Sequence, residues 1–100
     1  MAYNPQALIR YRVIDRCLRD RRRRWTRAAL AAVCGDALRE ANGSGVPDPS
    51  LRTIAGDLDR MRYDEQLGYH APIEWDASAG TYRYSDPENS ISRLPLRRDD

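Results

Sequence analysis

Lysine is missing from this sequence: all 17 of its basic residues are arginine. A GC-rich coding bias is one explanation for arginine in place of lysine, but the choice also has a chemical consequence. A guanidinium is a planar fork that meets phosphate or guanine with two parallel hydrogen bonds, where an ammonium offers only a point charge. Cysteine is scarce, at 2 in 100 residues, which excludes a disulfide framework. Long apolar runs are missing too. The longest, Ala28 to Cys34, has seven residues, far short of the roughly 20 that cross a bilayer as a helix. Asn4, Pro5, Gln6 and Arg10 interrupt any apolar core of a secretory signal at the start. These absences lead to the expectation of a soluble, intracellular chain.

What is present fits one small globular domain. The chain has 100 residues, 41% of them hydrophobic and 32% charged. A domain of that size buries about 60–65% of its unfolded surface, enough for one modest core. The charge is unevenly placed. Residues 1–62 hold 13 Arg against 7 acids, and residues 63–100 hold 4 Arg against 8 acids, so +6 and −4 make the overall +2. Coding bias does not explain this split, which suggests a phosphate-facing surface on one side.

Hydrophobic spacing divides the chain into three helices and a hairpin. Asn4 and Pro5 make a cap and first turn for a helix over about 5–20. Leu8, Tyr11, Ile14 and Leu18 form its apolar stripe, with Val13 and Cys17 beside it. Arg10, Arg12, Arg16 and Arg19 fall largely outside it. Trp25 is an apolar anchor suited to a short strand. Thr26 caps a second helix over about 27–41, with Leu30, Val33, Cys34, Ala37, Leu38 and Ala41 as its stripe. Gly35 inside that helix costs about 1 kcal/mol relative to Ala unless a neighbour comes close. Asn42-Gly43 ends it. After a turn-rich linker, Ser50 caps a third helix over about 51–64, with a stripe of Leu51, Ile54, Leu58 and Met61. Beyond Gly68 the period changes to two. Ala71, Ile73 and Trp75, then Tyr82 and Tyr84, predict a hairpin over about 71–85. An irregular tail follows from 86 to 100.

This element order is that of an α+β winged helix-turn-helix. In that architecture the third helix fits the major groove of duplex DNA, the helix before it crosses the backbone, and the hairpin lies on a neighbouring groove or backbone. Ser50-Leu51-Arg52-Thr53-Ile54-Ala55-Gly56-Asp57-Leu58 resembles the S-x-R-T-I-x-x-D-L core of the recognition helix in DeoR-type regulators. A longer match runs through Arg10-Tyr11-Arg12-Val13-Ile14-Asp15-Arg16-Cys17-Leu18-Arg19 and Arg24-Trp25-Thr26. It continues through Leu67-Gly68-Tyr69-His70-Ala71-Pro72-Ile73 and Tyr82-Arg83-Tyr84, with Asp86-Pro87 and Ser90-Ile91. These blocks resemble the amino-terminal winged helix of WYL-domain transcriptional regulators.

The resemblance implies a cytoplasmic, nucleoid-associated bacterial regulator that pairs as a homodimer on an inverted-repeat operator. It further implies a WYL domain downstream of this chain, through which a nucleotide or nucleic-acid effector would act. The sequence departs from the pattern at Ala55 and Gly56, where long polar residues are usual. Base readout is therefore expected from Ser50, Leu51, Arg52, Thr53 and Arg60, with close backbone approach at Gly56. Arg22, Arg23 and Arg24, together with Arg83 on the wing, are expected to meet phosphate. Asp57 is expected to pair with an arginine and orient it.

Three other readings are weaker. Cys17, Cys34 and His70 match no zinc spacing, so the thiols are expected in the core, with no metal and no cofactor. Trp25, Trp75, Tyr82 and Tyr84 are expected to pack under the wing. No nucleophile, base and oxyanion donor come together in the sequence, so no enzyme is expected. The alternative to DNA binding is a winged helix used for protein interaction or dimerisation.

Overall fold

Side-chain caps set where each helix begins. The computed structural model describes residues 4–86 and 88–91. Helix α1 (Pro5–Arg19) opens on Asn4, whose Oδ1 accepts from the backbone N–H of Gln6 and Ala7 at 2.9 and 3.4 Å. Helix α2 (Arg27–Asn42) opens on Thr26, whose Oγ1 accepts from Ala29 N–H at 3.0 Å. Helix α3 (Leu51–Tyr63) opens on Ser50, whose Oγ accepts from Thr53 N–H at 3.1 Å. Each cap satisfies a donor that a helix N-terminus otherwise leaves orphaned. All three helices start at the expected residue and end within one residue of the expected end. Gly43 stops α2 with a φ of +110°, a conformation that side chains resist.

The hairpin is shorter than its alternating pattern suggests. Strands β1 (Ile73–Asp76) and β2 (Thr81–Tyr84) pair antiparallel, with Ile73 opposite Tyr84 and Trp75 opposite Tyr82. Pro72 has no N–H to extend the ladder, although its carbonyl accepts from Ser85 N–H at 2.7 Å. Asp76 starts the turn by accepting from the N–H groups of Ser78 and Ala79 and from the Ser78 hydroxyl. The short strand expected at Trp25 is a single bridge, in which the Trp25 carbonyl accepts from Tyr82 N–H at 2.8 Å. The sheet order is thus Trp25, β2, β1.

One core joins these elements. Tyr11, Ile14 and Leu18 of α1 meet Leu30 and Cys34 of α2, Ile54, Leu58 and Met61 of α3, and Ile73 and Tyr84 of the hairpin. Burying each such aliphatic chain is worth about 1.5–3 kcal/mol. Cys17 and Cys34 are free, buried thiols. Burial pushes both up from their ordinary range, Cys34 to about 12. Gly35 has its close neighbour in the linker. A Cβ there would collide with the Asp48 carboxylate, which Arg39 holds at 2.8 Å while also binding Asp36 and the Val46 carbonyl.

Several sequence expectations are corrected. Leu51 is 51% exposed, because a stripe in a helix's first turn can run past the edge of the core. Ala41 is exposed for the same reason at the other end of α2. Trp75 shares a hairpin face with buried Ile73 but is 46% exposed. It lies nearer the turn, where it packs on Tyr82 with ring centroids 4.7 Å apart. Arg10 is largely buried instead of solvated, held by Asp57. His70, just before the hairpin, occupies an exposed loop at φ +47°.

The tail is partly ordered against the core. Ser90 and Ile91 are buried, and the buried Asp15 carboxylate accepts from the Tyr84 hydroxyl at 2.6 Å, Ser90 Oγ at 3.2 Å and Ile91 N–H at 3.1 Å. Residues 87 and 92–100 of that tail lie outside the described residues.

Candidate nucleic-acid interface

Helix α3 divides its side chains cleanly. Ile54, Asp57, Leu58 and Met61 face inward. Arg52, Gly56 and Arg60 recur at a spacing of four and so share the outward side. Ser50, Leu51, Arg52 and Arg60 are exposed, and Thr53 and Gly56 are half-buried. Ser50 and Thr53 are tied to each other, the Ser50 hydroxyl donating to Thr53 Oγ1 at 3.0 Å. Arg52 has no hydrogen-bond or ion-pair partner among the described residues and stands free at the start of the helix. At Gly56 a Cβ would meet only the mobile end of Arg60, at 3.3 Å, so the helix backbone is open to close approach there.

Asp57 is fully buried and turned away from solvent. Arg10 of α1 grips it with Nε at 2.6 Å and a second guanidinium nitrogen at 3.1 Å, and Arg60 adds a contact at 3.3 Å. The pairing expected of Asp57 is therefore present, and it also locks α1 to α3. That hydrogen bond raises the Arg10 pKa above its ordinary value. Arg60 is left half-exposed on the outward stripe. The negative charge of Asp59 is offset by Arg62, 2.8 Å away.

The other expected contact residues are not gathered on α3. Arg83 lies on β2, outward-facing, and its guanidinium pairs with Glu74 across the hairpin at 3.2 Å. The turn beyond it, Ala77, Ser78, Ala79 and Gly80, carries no charge. Arg22, Arg23 and Arg24 are exposed at the Trp25 edge of the sheet, whereas α3 runs into β1 at the opposite edge. Arg22 pairs with Asp20 at 3.1 Å. Arg23 lies 4.1 Å over the Trp25 ring. Arg21 donates to the Tyr84 carbonyl at 2.8 Å. Arg21, Arg23, Arg24 and Arg83 line a shallow cleft of about 190 Å³ together with Trp25, Tyr82 and the acids Asp20 and Asp76.

Sequence reasoning missed two residues that position this surface. Arg10 could not be matched to Asp57, 47 residues away, from spacing alone. Asp15 left a signal: it lies four residues after Tyr11 and three before Leu18, on the buried stripe itself. Arg27 was also passed over, although it stands exposed as the first residue of α2 directly behind the Thr26 cap.

No helix among the described residues is long and apolar enough to cross a membrane. Searches of curated proteins and of solved structures returned no match to this chain. Residues 6–94 match the family described as the WYL domain-containing protein, N-terminal winged helix domain, and three helices followed by a two-stranded wing are the architecture that description names; the chain belongs to that family.

Proposed function

We propose that this domain binds duplex DNA for a transcriptional regulator, with α3 in the major groove. The observation that carries the reading is the outward stripe of α3, where a free Arg52, an open Gly56 and a half-free Arg60 lie along one side. Arginine meets the O6 and N7 atoms of guanine as a two-toothed fork, the commonest specific contact in the major groove. Ser50, Thr53 and Leu51 flank Arg52 and supply phosphate and base-edge contacts at the helix start. Arg83 and the neutral turn ride on the neighbouring backbone. Arg22 is spent largely on Asp20, and Arg23 and Arg24 lie across the sheet. The same reading includes pairing of two copies on an inverted repeat, and control by a nucleotide or nucleic-acid effector through a WYL domain elsewhere in the protein. It assigns the domain no catalytic step.

Arg52→Ala tests the assignment. The substitution is expected to cost about 1–3 kcal/mol in binding to a selected duplex site and to relax preference at one base pair. Unchanged affinity and unchanged preference would remove α3 from the groove. The exposed Leu51, Tyr63 and Trp75 favour a second reading, a docking module for protein. That reading expects binding to a partner protein and almost no salt-dependent affinity for DNA.

A further inference from the structure

Arginines without an ion pair are concentrated away from α3 among the described residues. Arg12, Arg16 and Arg19 are all exposed on α1. At 100° per residue they fall within an arc of about 60°. Arg10, which reaches α3 through Asp57, is about 160° from Arg12 on the same helix. The stripe therefore faces away from α3, on the far side of the core that both helices share. Arg21, Arg23 and Arg24 continue it through the α1–α2 loop. None of these six arginines has an ion pair among the described residues, whereas Arg10, Arg22, Arg39, Arg60, Arg62 and Arg83 each do. Asp20 lies within the band and is engaged by Arg22, and Asp76 shares the cleft with Arg21, Arg23 and Arg24 without an ion pair to any of them.

We infer that this face is a second phosphate-backbone surface, so that one domain holds two duplex segments, one on α3 and one on α1. Two observations favour nucleic acid over an acidic protein. The large exposed apolar side chains of the described residues are Leu51 and Tyr63 on α3 and Trp75 on β1, so none is on α1 or in the α1–α2 loop. Protein interfaces carry aromatic or apolar anchors at their centre, whereas backbone binding needs only charge. The stripe from Arg12 to Arg19 is about 10 Å long, the rise of about three phosphates along one strand. Arg16 and Arg19 also complement the C-terminal end of the α1 dipole. That accounts for neither Arg12 nor the loop arginines. The bridging of two duplexes rests on the α3 reading; the second surface stands without it.

The test mixes donor-labelled and acceptor-labelled random duplexes with the full chain in low salt and reads energy transfer and stoichiometry. The wild-type chain is expected to take up two duplexes and bring the labels together. The triple variant R12Q/R16Q/R19Q keeps good helix formers, and its fold is checked by circular dichroism. It is expected to take up one duplex, lose the transfer, and lower the salt slope by about 0.9 for each lost phosphate contact. Full transfer in the triple variant would overturn the inference, because pairing of two α3 faces would then explain the bridging. One duplex per wild-type chain that the triple variant still binds would overturn it as well, while leaving the α3 reading intact. Displacement of duplex from this face by polyglutamate, at the same charge concentration as competitor DNA, would assign the surface to an acidic protein instead. No duplex binding by any form would remove both readings.

Discussion

Two glycines in helices do different work, and one substitution tells them apart. At Gly35 a Cβ would strike Asp48 and dislodge the carboxylate that Arg39 clamps. Gly35→Ala is expected to lower stability by about 1–3 kcal/mol, as overpacking does. At Gly56 the added methyl meets only the end of Arg60. Gly56→Ala is expected to leave stability unchanged or raise it by up to about 1 kcal/mol through helix propensity. If the α3 backbone approaches DNA, the same substitution weakens duplex binding. Thermal melts and duplex titrations of both variants check this.

Cys34 adds a pH dependence. Burial favours its neutral thiol, so the folded state holds the proton up to about 12 while the unfolded thiol releases it near 9. Below pH 9 the thiol is protonated in both states and contributes no slope. Between 9 and 12 the unfolded state alone ionises, so stability falls as pH rises. Burial also raises Cys17 and Tyr84, which adds to the fall. Denaturant titrations from pH 7 to 11 should show a plateau followed by a decline, shallower in Cys34→Ala measured against its own neutral-pH value. At this scale the caps Asn4, Thr26 and Ser50 were legible because each acts on donors two or three residues away. The burial of Asp15 left only its place on the stripe, since its three donors come from β2 and the tail, up to 76 residues on.

Between elements, the Arg10–Asp57 pair joins α1 to α3. Asp57→Asn keeps the shape but leaves a largely buried guanidinium without its counter-charge. Breaking one side of a buried pair costs about 3–5 kcal/mol. The expected result is a matching loss in unfolding free energy by chemical denaturation, with Arg60→Ala far milder because its contact is long and half-exposed. A loss below about 1 kcal/mol for Asp57→Asn would mean that apolar packing alone sets the α1–α3 angle. Helix positions followed from spacing, because each apolar stripe faces one shared core. The hairpin followed less well. Alternation put Ile73, Trp75, Tyr82 and Tyr84 on one face correctly, but it carries no information on how far the helices extend beneath that face. Trp75 lies past their edge.

Across the whole molecule, the basic amino-terminal part raised the expectation of a phosphate-facing side, and the structure uses much of that charge in internal ion pairs. Arg10, Arg39 and Arg62 pair with Asp57, Asp48, Asp36 and Asp59, and Arg60 is only partly engaged by Asp57. No sequence count separates a spent arginine from a free one, so one expected surface becomes two groups, Arg52 with Arg60 on α3 and the band from α1 into the loop. Both groups serve the central claim that this winged helix binds duplex DNA through phosphate and base contacts. The most direct measurement is an anisotropy titration of the full chain against a labelled duplex over a series of salt concentrations. Each phosphate contact contributes about −0.9 to the slope of log K against log salt. The account predicts a straight line with a slope of about −3 or steeper; a slope near zero, or no binding at low salt, would contradict it.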